Sequence, residues 1–173
     1  MARLLVVRIV NGYQLERGAY LHSADLNRAY LHSAFLPSAN LSKANMIGAV
    51  LKGANLFEAK MIGADLTDAR LDDSDLEGAN LTGAKMLRVN LSDAKMIGTN
   101  LTGAIMTRAC LFGAKLIGAD LSGADLRDAL LTSANLEGAN LTGANLEGSN
   151  LFSAYWGDAN LTRAIMPDGT THY

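Results

Sequence analysis

Residues 134–148 read ANLEGANLTGANLEG, three near-copies of one five-residue phrase. Neither regular secondary structure has a period of five. In an α-helix five residues turn the chain by about 500°, a net 140°, so the leucines would spiral around every side. A long straight strand fails as well, because an odd period sends successive leucines to opposite faces. A short extended segment followed by a corner succeeds. Ala and Leu two residues apart point to one face, and a bend after each Leu returns the next pair to the same interior. Gly at the end of the phrase suits that bend, since Gly takes positive φ without steric cost.

Working outward, the phrase stays in phase from Ala19 to Asp168 as thirty pentapeptides without an insertion. Taking the third residue as the centre, twenty-three centres are Leu, six are Met and one is Trp156. Ala stands two residues before the centre in twenty-six of the thirty; Ser74, Val89, Thr99 and Ser149 replace it. Thirteen of the seventeen glycines stand two residues after a centre. The pattern predicts a solenoid whose coils stack through backbone hydrogen bonds about 4.8 Å apart. Every centre from Leu21 to Met166, and the residue two before it, should be buried, with the other three residues exposed.

The phrases ADLNR, ANLSK, ANLTG, ADLSG and ANLEG resemble the A(D/N)Lxx motif of the pentapeptide-repeat family, over residues 19–168. The resemblance implies an all-β, single-domain fold: a right-handed quadrilateral β-helix with four pentapeptides per coil. Residues 20 apart would then stack in columns, and about 7.5 coils would rise roughly 36 Å. Residues 1–18 are expected to form an N-terminal cap, 19–168 the β-helix and 169–173 a C-terminal tail. The first segment leaves the phase, Leu15 falling one short of a centre, and LLVVRIV at 4–10 is rich in β-branched residues, which favours a strand-like cap. Trp156 is expected to plug the last coil. The ending IMPDGTTHY carries a Pro-Asp-Gly turn signal and resembles the ending of many cyanobacterial members.

Composition excludes several function classes. The 173 residues carry a net charge of −2 and are 6% aromatic. That charge gives no positive field for non-specific nucleic-acid binding. Cys110 is the single cysteine, so no intramolecular disulfide forms. The apolar start MARLLVVRIV is broken by Arg8 and lacks a small-residue cleavage site, and no run approaches the roughly 18 apolar residues of a membrane span. A cytoplasmic protein without membrane contact is expected.

No catalytic or metal constellation emerges. His22 and His32 each follow a centre and are ten residues apart, on opposite sides of a four-sided coil, and His172 is in the tail. Cys110 precedes a centre, so its thiol should point outward with no histidine in the nearby sequence. In DDSDLEG (72–78), Asp73, Asp75, Glu77 and Gly78 match the first half of a calcium loop, but the twelfth position is Ala84 where a bidentate Glu is required. Neither a Ser/His/Asp set nor a phosphate-cradling glycine loop is present. The expectation is a non-enzymatic protein with no cofactor, no metal and no small-molecule substrate.

The surface is patterned. Net charge runs +4 over 1–60, −5 over 61–80, +4 over 81–115 and −5 over 116–173, which becomes bands along the axis. One side stacks Asn80, Asn100, Asp120, Asn140 and Asn160 beside Thr82, Thr102, Ser122, Thr142 and Thr162. Another column presents Phe57, Ile97 and Ile117, apolar groups that the fold does not require there. These three are the candidate interaction surface. A rigid scaffold or regulatory module for a protein partner, or for self-association, is the leading reading. An alternative is implied by family members that mimic DNA and bind type II topoisomerases, conferring quinolone resistance; those are strongly acidic, dimeric rods, whereas this chain alternates in charge and carries only −2 overall. Ice binding is a remote alternative suggested by the Thr column, although the adjoining rank is Gly.

Overall fold

The computed structural model describes residues 8–173; the part of LLVVRIV at 4–7 lies outside the described residues. From Tyr20 onward each outward residue before a centre bridges in parallel to its equivalent 20 residues later, from Tyr20–Asn40 to Asn145–Ile165. That spacing makes the coil four-sided, and the solenoid is right-handed. Each side is named below by a mid-rod centre: the Leu101, Met106, Leu111 and Leu116 sides, every residue belonging with those 20 before and after it.

One repeat shows why the coil closes. In Ala79–Gly83 the Asn80 N–H donates to Ala59 O below at 2.9 Å, and the Leu81 and Gly83 N–H groups donate to Asn100 O and Thr102 O above at 2.7 and 2.9 Å. The Ala79 N–H closes the turn onto Leu76 O at 2.9 Å. The last donor, Thr82 N–H, is taken by the Asn80 side chain, Oδ1, at 3.0 Å. All five backbone donors are thereby satisfied, as a packed backbone requires. The same side-chain turn recurs at each Asn or Asp preceding a centre, for example at Asp25, Asn40, Asp65, Asn100, Asp125 and Asn160. This explains the D/N of the motif: a short side chain with an oxygen able to bond its own backbone two residues on.

The corner is the residue two after the centre, and from Ser23 to Arg163 every one has φ between 52° and 69°. Gly fills thirteen of these corners and residues with side chains, among them Arg88, Lys43 and Ser133, fill the others. For an L-residue the left-handed conformation costs about 1–2 kcal/mol, so those corners are held by the stacked ladders on either side.

Inside, centres from Leu21 to Leu146 are buried, most of them completely, with the alanines two before them. Two of the polar replacements are accommodated: Ser74 Oγ donates to Leu71 O at 2.7 Å and Thr99 Oγ1 to Leu76 O at 2.8 Å. Ser149 Oγ is buried with no partner among the described residues. The burial rule fails at the last coil. Leu151, Trp156, Leu161 and Met166 are only half-buried, because no further coil lies above them. Trp156 packs on the core there without closing it. The outward rule also has exceptions, since Asp72 and Pro37 are buried.

The two ends differ. At the N-terminal end, β1 (Arg8–Val10) and β2 (Tyr13–Leu15) form an antiparallel hairpin. Leu15 joins the core, and the Tyr13 hydroxyl accepts from the Asp25 N–H at 3.3 Å, a donor with no coil beneath it. The described part of the expected strand-like segment is thus extended. At the other end the tail turns back at Gly169 and pairs Thr171 antiparallel with Ile165, covering the Met106 side alone. Among the described residues no helix is long and apolar enough to cross a membrane.

Three measurements check this account. Leu101→Ala should cost about 2–5 kcal/mol in chemical denaturation, through lost burial and the cavity left behind; an unchanged midpoint would refute the inward assignment. Gly103, with no atom within 4 Å of an added Cβ, isolates the backbone contribution. Gly103→Ala should therefore cost about 1–2 kcal/mol from the corner conformation, while Gly12→Ala in the hairpin turn reports the same strain outside the ladder. The third concerns acid. Asp120 is held below its ordinary value mainly by the Ser122 hydroxyl and N–H, and Asp125 by the Arg127 guanidinium, against burial. Lowered folded values contribute stability above the unfolded value of about 3.9, lost as pH falls through the folded one. Denaturation midpoints should hold down to about pH 5 and fall below about pH 4. Asp120→Asn, which keeps the turn acceptor, should show a smaller acid loss.

Candidate interaction surface

The residues before and after each centre both project outward, so each side carries two columns of side chains. On the Leu116 side the column after the centre runs Phe57, Glu77, Ile97, Ile117 and Glu137. Bridges Asn55–Asp75, Asp75–Lys95 and Lys95–Lys115 fix the register of the column before it. Phe57 is 37% exposed, while Ile97 and Ile117 are half-buried, in adjacent coils. Glu77 separates Phe57 from the isoleucines, so the three candidates share one column without forming one apolar strip. The corners beside the isoleucines are Gly98 and Gly118, with open space where a Cβ would stand. That edge of the side is bare backbone.

Beside the isoleucines stands a feature that apolar sorting alone does not find. Lys95 bridges directly to Lys115, the one bridge between like charges among the described residues. Both lysines are exposed. Like charges set opposite each other in a sheet destabilise it. Reading charges as well as apolar residues at intervals of 20 would have exposed the rung.

Elsewhere the apolar surface is more open. On the Leu111 side Phe112 and Leu130 are each 49% exposed and Phe152 75%. Around the first coil Tyr20 stacks on His22 with ring centroids 6.1 Å apart, and Tyr30 on His32 at 5.9 Å. The histidines thus lie on opposite sides, each against a tyrosine of its own strand. Cys110, expected to be an outward thiol, is half-buried with its Sγ 3.2 Å from Ser92 Oγ, because neighbouring coils shelter it.

The charge bands become rungs between coils. Arg88 pairs with Asp68 through two nitrogens at 2.6 and 2.7 Å, and Arg108 approaches Asp128 at 3.5 Å, both on the Met106 side. On the Leu111 side Lys52 reaches Asp72 at 2.8 Å and Asp73 at 3.1 Å. Burial works to raise the Asp72 carboxyl, but Lys52 and Arg70 together hold it below the ordinary value. The calcium-like stretch is divided by this arrangement: Asp73 turns to Lys52, while Asp75 Oδ1 accepts the Glu77 N–H at 3.2 Å on the next side. Among the described residues no three of His, Cys, Asp and Glu gather closely enough to hold a metal ion. In the Thr column, Thr82 and Thr142 donate to Asn80 and Asn140 at 2.7 and 2.6 Å, so those hydroxyl protons are already used. An open depression of about 480 Å³ near the C-terminal end is lined by Arg127, Asp128, Glu147 and Asp168 among others, with Arg127 held on Asp125 at 2.7 Å.

Comparison with known proteins agrees with this geometry. The family described as pentapeptide repeats matches in eight copies, over residues 17–53, 36–73, 69–108 and 109–148. Among solved structures, HetL from the cyanobacterium Nostoc sp. strain PCC 7120, a pentapeptide repeat protein involved in heterocyst differentiation regulation, is 32% identical, covering 91% of this chain and 87% of its own, with a TM-score of 0.47. A pentapeptide repeat protein from the Arabidopsis thaliana thylakoid lumen is 36% identical, covering 57% of this chain and 68% of its own, with a TM-score of 0.53. QnrB1, a plasmid-mediated fluoroquinolone resistance protein, is 16% identical over 84% of this chain and 81% of its own, with a TM-score of 0.41. No curated protein matches. With the repeat signature spanning residues 17–148 on a four-sided coil whose period is 20, the chain belongs to the pentapeptide-repeat family.

Proposed function

We propose that this protein is a non-enzymatic scaffold or regulatory module whose working surface is the Leu116 side, with Phe57, Ile97 and Ile117 in the contact. The observation that carries the reading is the pair Ile97 and Ile117, in register on adjacent coils beside the lysine rung. The solenoid takes Glu77 and Glu137 at the equivalent places, so folding does not demand isoleucine there. A rigid rod presents such groups at fixed spacing, which lowers the ordering cost of binding. Burying an aliphatic side chain fully gains about 1.5–3 kcal/mol over full exposure, so even the half-exposed isoleucines offer a useful fraction of that. On the opposite, Met106 side Arg88, Arg108 and Arg127 are matched by carboxylates, and the surface is not a uniformly acidic rod of the kind that mimics DNA.

The test is the double change Ile97→Thr and Ile117→Thr. Stability should stay within about 0.5 kcal/mol of the parent, as for ordinary surface changes. Self-association in sedimentation, or recovery of a specific partner from the source cell, should fall. If the fold survives and neither readout moves, the Leu116 side is not the working surface.

A further inference from the structure

We propose, resting on that reading, that the Leu116 side takes a second copy of this chain, docked face to face with coil order reversed. A two-fold axis lying in the contact plane, perpendicular to the rod, keeps each column opposite itself and inverts its order. Set midway between the coils of Asp75 and Lys95, that axis places Asp75 of each copy opposite Lys95 of the other. Phe57 of each copy then meets Ile117 of the other. Lys115 faces the Asn55 amide, and Glu77 comes down on Ile97 beside the opposing Lys95. No like charges meet in this register.

The charges select the register. Moving the axis half a coil one way sets Lys95 against its own copy, and half a coil the other way sets Asp75 against its own. The first shift keeps an attraction, Asp75 to Lys115, and the second keeps none, but both bring like charges together where the midway register has none, the device by which charged columns specify pairing. The charges are also unspent: among the described residues, Asp75, Lys95 and Lys115 make no ion pair. Elsewhere more of the charge is already spent, although Asp65 and Lys85 on the Met106 side also make no ion pair among the described residues. On the Met106 side Arg88, Arg108 and Arg127 are held by Asp68, Asp128 and Asp125, and on the Leu111 side Lys52 and Arg70 are held by Asp72. The proposal also accounts for the Lys95–Lys115 rung, whose repulsion within one copy is relieved by Asp75 and Asn55 of the other.

Analytical ultracentrifugation at rising concentration and low salt tests the idea. The parent should move from 18.3 kDa towards twice that mass. Asp75→Lys and Lys95→Asp each set like charges against each other twice, and each should weaken self-association by at least about tenfold. An equimolar mixture of the two variant proteins should associate again, because every altered residue then faces an opposite charge. Circular dichroism confirms that each variant is folded; Lys95→Gln, which adds no repulsion, covers the case in which a charge reversal unfolds the chain and should weaken association more mildly. A parent that stays monomeric, a mixture that associates no better than its components, or a dimer indifferent to all three changes would overturn the proposal. A monomeric parent that still loses a cellular partner on Ile97→Thr and Ile117→Thr sinks the second copy while leaving the interaction surface standing.

Discussion

A backbone held at positive φ every five residues is the constraint on which the rest of the molecule depends. Each corner turns the chain by a quarter of a coil, and only after four of them does a residue find itself above its equivalent 20 positions earlier. Parallel ladders can form only because those corners repeat without a slip. The ladders in turn hold sixteen corners with side chains, Arg88 and Lys43 among them, in a conformation such residues avoid in isolation. Corner and ladder are therefore mutually dependent. Neither has a reason to exist locally, which is how a core of small aliphatic side chains with few aromatics is enough for a cooperative rod.

The same logic makes the ends the weak points. A coil in the middle has partners above and below for its donors and its leucines. The first described coil borrows a partner from the hairpin, where the Tyr13 hydroxyl meets the Asp25 N–H. The last coil has the tail on one side only, and its centres from Leu151 to Met166 stay half-buried. Ser149, at the inward position that opens that coil, keeps a buried hydroxyl without a partner among the described residues. Local opening should begin there, since protection follows the density of contacts.

Much of this was legible in the sequence because a solenoid converts position directly into place. The alternation of Ala and Leu at a period of five decided inside and outside, and Gly at the fifth place announced the corner. What stayed hidden was whatever depends on two residues 20 apart or on a side chain bonding its own backbone. Arg88 and Ser133 at corners look like ordinary surface residues, yet they share the backbone of Gly103. Asn80 reads as a polar face residue, but its oxygen completes the hydrogen bonding of the repeat. Asp72 stands at an outward position of the repeat, yet it is buried where Lys52 from the coil below and Arg70 from its own meet it. The candidate column was visible because apolar groups outside a solenoid stand out; the lysine rung beside it was not, because the two lysines are separated by a full coil of sequence.

The four-sided coil with a five-residue step has a consequence for how such a chain can change length. Adding or deleting one pentapeptide leaves the interior intact, since every centre still points inward. It rotates all that follows by a quarter turn, however, so Lys115 would no longer stand over Lys95 but around a corner from it, and Arg88 would part from Asp68. Only a change of 20 residues preserves both the interior and the columns. The fold thus counts in fives while its surface counts in twenties, and descent by whole-coil duplication is the route that lengthens the rod without erasing what is written on its sides.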